Sequence, residues 1–218
     1  MTKQIIITCP TLRRELEKAM EETGISYPVH FLPQRLHSNP KELHSHLQEL
    51  IDKFEDMDRI LICISSCGKS TIGLTASHCE VVIPKSQDCI DILLSKTTLK
   101  EICRPPKAIF LTEDWMNFMK NSSLDLQTAI EKQGKEKAEE TLKKIYKGFE
   151  NFYIIDTGVY NTKVVEEYIT PLVTVLQGTL HRITGEYQIL KKMVRNNFDE
   201  DFIVLHKGET ATEEDFKR

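Results

Sequence analysis

The apolar positions of this chain fall into short unbroken runs separated by amphipathic stretches, the pattern of parallel strands alternating with helices. Ile5, Ile6 and Ile7 form the first run, inside a strand predicted over residues 4–8. Pro10 then opens a helix, where its missing N–H is not needed; Leu12, Leu16, Ala19 and Met20 supply one apolar stripe, and Gly24 ends it. A second strand is predicted over residues 27–32. Asn39-Pro40 reads as an N-cap followed by proline at the first helical position, and Leu43, Leu47, Leu50, Ile51 and Phe54 continue at the helical period. Strands are predicted at residues 59–66 and 80–83, and a helix at 88–95 with Ile90, Leu93 and Leu94 inward.

Residues 103–107, with Pro105 and Pro106, interrupt this pattern and make the best internal boundary. The second half restarts with a strand at 108–112, then a long polar helical stretch over 124–148, and a buried strand at 152–155. Residues 162–169 read as helix until Pro171 interrupts them, 172–176 fit strand or helix equally, 187–194 read as helix and 202–205 as a last strand. The acidic tail after Gly208 is expected to be loose. These elements predict an α/β fold of two Rossmann-like lobes with mostly parallel sheets: an N-terminal lobe over residues 1–106 and a C-terminal lobe over 107–218. The repeated rhythm is compatible with an internal duplication, and a cleft between lobes is the natural place for a ligand.

Composition narrows the class. With 40% hydrophobic and 28% charged residues and a net charge of −4, the chain reads as an ordinary soluble protein. Its lysines and arginines are interleaved with acids, so no basic stripe favours nucleic acid. No run approaches the roughly 20 apolar residues of a membrane span. A strand beginning by Gln4 leaves no room for a signal peptide, so a cytoplasmic protein is expected. In that compartment the six cysteines are expected to be thiols, metal ligands or core residues rather than disulfides, and no CxxC pair occurs.

Three of these cysteines, Cys9, Cys67 and Cys89, each follow a predicted strand. Loops leaving the carboxyl ends of parallel strands converge on one edge of the sheet, where ligands bind. The three are therefore candidate metal ligands, against the alternative that they are simply buried. Thiolates select zinc, copper(I) or an iron–sulfur cluster, and three of them leave one position open on zinc or on one iron of a 4Fe–4S cubane. Asp88 and His78 are candidate fourth ligands or partners of a ligand. Cys63 lies inside a predicted strand and reads as core filler, Cys79 opens a strand at the opposite edge, and Cys103 ends an amphipathic segment. Cys67-Gly68-Lys69-Ser70-Thr71 ends like a phosphate-binding loop, but the first glycine of that pattern falls on Cys63. Gly68 and Lys69 remain candidates for approaching a cofactor, as does Asp156 at the end of a strand in the second lobe; an Asx-type turn is the favoured reading of Asp156. The seven histidines show no metal spacing, and no GxSxG, HExxH or GxGxxG motif is present.

The segments IIITCPTLRREL (5–16), ILICISSCGKSTIGL (60–74) and VVIPKSQDCIDILLS (81–95) resemble the family known as domain of unknown function 1638, found in bacteria and archaea. Weaker matches are IFLTEDWMNFM (109–119), GEYQILKKMV (185–194) and DFIVLHKGE (201–209), in the family's order. The resemblance places a family cysteine at Cys9, Cys67 and Cys89; the chain departs from the pattern at Ser65-Ser66, usually aromatic-glycine, at Gln87, usually histidine, and at Asp114, usually glycine. Genes of this family often lie near those of corrinoid-dependent methyltransferases, which implies a link to one-carbon metabolism. Three readings follow: a three-cysteine iron–sulfur or other metal site, a zinc site whose open position activates a thiol or water, and a non-enzymatic module binding a corrinoid or corrinoid protein, with the cysteines as pocket lining. Whether the protein is an enzyme stays open at this point.

Overall fold

Ile5, Ile6 and Ile7 lie in β1 (Gln4–Thr8), a strand buried along its whole length. The computed structural model describes residues 2–102 and 104–217, so Cys103 lies outside the described residues. After a 3-10 turn at Pro10–Leu12, α1 (Arg13–Thr23) runs until Gly24 takes up left-handed backbone at φ 67°. Next come β2 (Val29–Phe31), α2 (Pro40–Lys53), β3 (Arg59–Cys63), β4 (Glu80–Pro84) and α3 (Cys89–Leu94). The start of α2 is the one predicted: the Asn39 side chain accepts from the Glu42 N–H, with Pro40 in the first turn.

Residues 104–185 build a second unit. It contains β5 (Ala108–Leu111), α4 (Glu113–Met119), α5 (Leu126–Gln133), α6 (Lys135–Ile145), β6 (Asn151–Asp156), α7 (Thr162–Leu176) and β7 (Thr179–Thr184). The long polar stretch is two helices, because Gly134 at φ 81° and ψ 159° leaves the helical region between them. Pro171 does not end α7; it sits on the exposed side, where the carbonyl it leaves without a helical partner can reach water. The hydrophobic pattern missed β7, whose positions are half-buried or exposed. Gly178 permits its close start against β6, since a Cβ there would come within 2.8 Å of the Phe152 ring.

The chain then returns to the first unit with α8 (Gln188–Val194) and β8 (Phe202–Leu205). β8 pairs antiparallel with β4, Ile83 opposite Ile203 and Val81 opposite Leu205, and α8 packs on α1, where Glu22 meets Tyr187 and Lys191. The boundary expected at 106/107 thus assigns residues 186–217 to the wrong lobe; burial of Ile203 and Leu205 in the first core is what draws them back. Nor is the acidic tail loose: Ala211 is buried, and its backbone exchanges hydrogen bonds with Gly73 and Leu74.

The result is an α/β fold with two mostly parallel sheets, Rossmann-like in its alternation of strand and helix. The first has the order β2-β1-β3-β4-β8, with only β8 antiparallel; the second is β5-β6-β7, all parallel. The two orders differ, so the shared rhythm reflects the crossovers that parallel strands need rather than one repeated topology. On one face of the first sheet, Ile5, Ile7, Ile60, Ile62 and Ile83 pack under Leu43, Leu47, Leu50 and Ile51 of α2. Among the described residues no helix is long and apolar enough to cross a membrane.

Because β8 completes this core, Ile203→Ala should cost about 2–5 kcal/mol. Lys207→Ala, on the exposed turn that follows, should cost less than about 0.5 kcal/mol. Urea denaturation checks both, and an Ile203→Ala variant as stable as Lys207→Ala would refute the pairing with β4.

Candidate functional site

In the order β2-β1-β3-β4, the chain leaves β1 toward one side of the sheet and leaves β3 toward the other. Connections that diverge in this way open a crevice at the carboxyl ends of the two strands, the usual ligand position in such sheets. Cys9 directly follows β1, Cys67 lies in the loop after β3, and Cys89 opens α3 after β4. All three line one cavity, together with His37, Cys63 and an apolar wall that includes Leu32, Leu36, Leu43 and Ile64. Its free space is about 20 Å³, room for little more than one water-sized sphere at roughly 10–15 Å³ each.

Local chemistry sets each donor. Cys9 has extended backbone at the N-cap of the 3-10 turn that Pro10 begins. Thr11, in that turn, donates its hydroxyl to the Cys89 sulfur at 3.8 Å. Cys89 is the first residue of α3, whose N-terminus is capped by Asp88 accepting from the Ile90 and Asp91 N–H groups. The loop after β3 is tied to the loop after β4: the Ser66 N–H donates to the Ser86 carbonyl, the Cys67 N–H to that of Gln87 at 2.8 Å, and the Ser65 and Ser86 hydroxyls pair in the interior. Cys67, Gly68 and Lys69 have φ of 38°, 71° and 70°, a left-handed turn in which two members are not glycine.

His37 is the residue that sequence reasoning missed. It lies on the 3-10 turn Gln34–Ser38 after β2, with Nδ1 3.9 Å from the Cys9 sulfur. Spacing between histidines gave no signal; the strand-end rule applied to β2 would have found it. The other candidates lie elsewhere. His78 is exposed and precedes β4, at the opposite edge of the sheet, as does buried Cys79. The side chain of Lys69 is exposed and pairs with Glu213 at 2.5 Å, while Gly68 lies against Pro40, which a Cβ would meet at 2.8 Å. Asp156 belongs to the second unit and accepts from the Gly158 N–H at 3.1 Å, the expected Asx-type turn. Among the described residues no group of three or more His, Cys, Asp or Glu side chains is arranged to hold a metal ion.

The electrostatics of the cavity oppose free thiolates. Burial first, then the nearby Asp88 carboxylate and Cys9, pushes the Cys67 thiol from an ordinary 9.0 up to about 12. Burial, with Cys67, Asp88 and Cys9 adding to it, raises Cys89 well above the usual thiol range. Cys63 is pushed to about 12, chiefly by complete burial. Burial also lowers the His37 imidazole, against a smaller opposing pull from Asp88. At neutral pH these thiols carry protons, so an unaided nucleophilic cysteine is not what the cavity provides.

The profile of a family described as "Protein of unknown function (DUF1638)" matches residues 31–194, a span that contains His37, Cys67 and Cys89. No curated protein and no solved structure matches the chain.

The raised thiols carry a pH dependence of known sign. Unfolded thiols ionise near pH 9.0 while folded Cys63 and Cys67 stay protonated to about 12. The unfolded chain therefore binds fewer protons in that window, and stability falls as pH rises through it, by up to about 1.4 kcal/mol per pH unit for each thiol. Denaturation midpoints of the metal-free protein from pH 8 upward should show this fall, with a shallower slope in Cys63→Ala; equal slopes would mean that the Cys63 thiol ionises as readily folded as unfolded.

Proposed function

The chain belongs to the DUF1638 family, and on that premise we propose that it is a soft-metal-binding protein whose Cys9, Cys67 and Cys89 thiolates hold a single zinc ion. The observation that carries this reading is the convergence of the loops after β1, β3 and β4 on one ion-sized cavity with three thiols in its wall. Thiolate donors beside an imidazole suit zinc better than a hard cation. The free space within the cavity, room for little more than one water-sized sphere, suits a single ion. The spacing of two lining groups is also near what zinc needs. Bonds of about 2.3 Å to sulfur and 2.1 Å to nitrogen in a tetrahedron put the two donors about 3.6 Å apart, against 3.9 Å between Cys9 and His37. Holding the ion requires the donor loops to draw in, because among the described residues no three of these side chains yet surround one point.

A bound divalent ion would supply the positive charge that the Cys67 and Cys89 thiols need in order to ionise at neutral pH. The protein's own residues do the rest. The apolar wall excludes water, Thr11 steadies the Cys89 sulfur, and the bonds between the third and fourth loops hold Cys67 toward the cavity. The five described cysteines are all free, which fits a reducing, cytoplasmic setting.

Metal and acid-labile sulfide analysis of protein purified without oxygen should find one zinc per chain and no sulfide. Cys9→Ser, Cys67→Ser and Cys89→Ser should each lose the zinc, and Cys79→Ala, at the far edge of the sheet, should keep it. Zinc at a thousandfold over its dissociation constant should also stabilise the folded protein by about 4 kcal/mol. Iron with sulfide would replace the ion by a cluster, and folded wild-type protein that takes up no soft metal would overturn the reading.

A further inference from the structure

We infer that His37 is the fourth ligand of this ion, so that the site is a closed Cys3His centre that retains its metal rather than offering an open position to a substrate. The inference rests on the metal reading above and reverses the open fourth position expected from three cysteines alone. His37 lines the same cavity as the three thiols, with Nδ1 3.9 Å from the Cys9 sulfur. Its position is set by the fold: the buried side chain of Leu36 anchors the turn, and the Leu36 N–H donates to the Pro33 carbonyl and the Asn39 N–H to the Leu36 carbonyl. That turn follows β2, the neighbour of β1, so four adjacent parallel strands deliver one donor each.

The competing donors are placed less well. Gln87 is exposed, and its backbone N–H and carbonyl are bonded to Asp91 and Cys67. Asp88 Oδ1 accepts the Ile90 and Asp91 N–H groups at the start of α3. Charge decides the same way. Three thiolates already exceed a divalent ion by one negative charge, and a carboxylate would add another within an apolar wall, at a large desolvation cost. A neutral imidazole completes four-coordination without adding charge, and three sulfurs with one histidine form a set found in closed zinc sites.

Cobalt(II) titration of the reduced protein tests this, since sulfur-to-cobalt charge-transfer bands report thiolates and the d–d bands report coordination number. Wild type should show tetrahedral bands that added imidazole leaves unchanged. His37→Ala should bind cobalt at least about 10–100-fold more weakly, the loss that even outer partners of a ligand cause, and added imidazole should restore its wild-type bands. His46→Ala, whose ring pairs with Glu49 outside the site, should match wild type. Wild-type bands that shift with imidazole, or a His37→Ala protein equal to wild type in affinity and spectrum, would overturn the closed site while leaving the thiolate ion standing. No charge-transfer band in folded wild type would remove both readings. Should His37→Ala fail to fold, the imidazole response of wild type still decides between a closed and an open position.

Discussion

Strands that run the same way in one sheet must release their chains at the same edge, and the first unit of this protein is organised around that constraint. β2, β1, β3 and β4 are adjacent and parallel, so the loops carrying His37, Cys9, Cys67 and Cys89 have nowhere else to emerge. Reversing the direction of any one strand would carry its donor to the far edge, where Cys79 and His78 lie before β4. The apolar runs that fill these strands therefore do two things at once. They bury the sheet on both faces, and they gather residues separated by 80 positions, Cys9 to Cys89, around one small cavity.

The surroundings of the cavity work against ionised thiols. Leucine and isoleucine side chains remove water, Asp88 adds a negative field, and Cys67 and Cys89 stay protonated well above neutral pH. A reactive cysteine would need the opposite arrangement, with a cation or a helix N-terminus drawing out the proton. Cys89 does stand at the start of α3, but the helix has only six residues and the Asp88 carboxylate occupies its N-cap. Burial wins over the helix field, and the soft cation we propose is what would reverse that balance.

The second unit shows how little strand and helix rhythm says about topology. Both sheets come from the same alternation of elements, yet one runs β2-β1-β3-β4 and the other β5-β6-β7 in chain order. Across the latter, Phe110, Tyr153 and His181 occupy facing register positions and stack at 5.3 and 4.7 Å between centroids. These rings alternate with the buried Leu111, Phe152 and Ile154, so this sheet has one face in its own core and another on which the stacked rings are half-buried.

Local signals carried as far as local physics reaches. The Ile5–Ile7 run, the Asn39-Pro40 start, the glycine stop after α1 and the helix of Asp88 were legible because each depends on neighbours within a few residues. The three cysteines were legible as candidates for a related reason: a strand end is visible in sequence, and parallel pairing sends every strand end to one edge. Half-buried β7, the helix that continues through Pro171 and the return of residues 186–217 to the first unit were not legible, because long-range packing decides them. His37 stands between the two groups. The end of β2 marks its place in sequence, but only the placement of β2 beside β1 sets its ring against the Cys9 sulfur. The sequence by itself determined the buried strands of the first unit and where the thiols leave them. The tertiary structure decided which strands are neighbours, because strand order follows from burying both faces of a sheet, a property of the whole core and of no single segment.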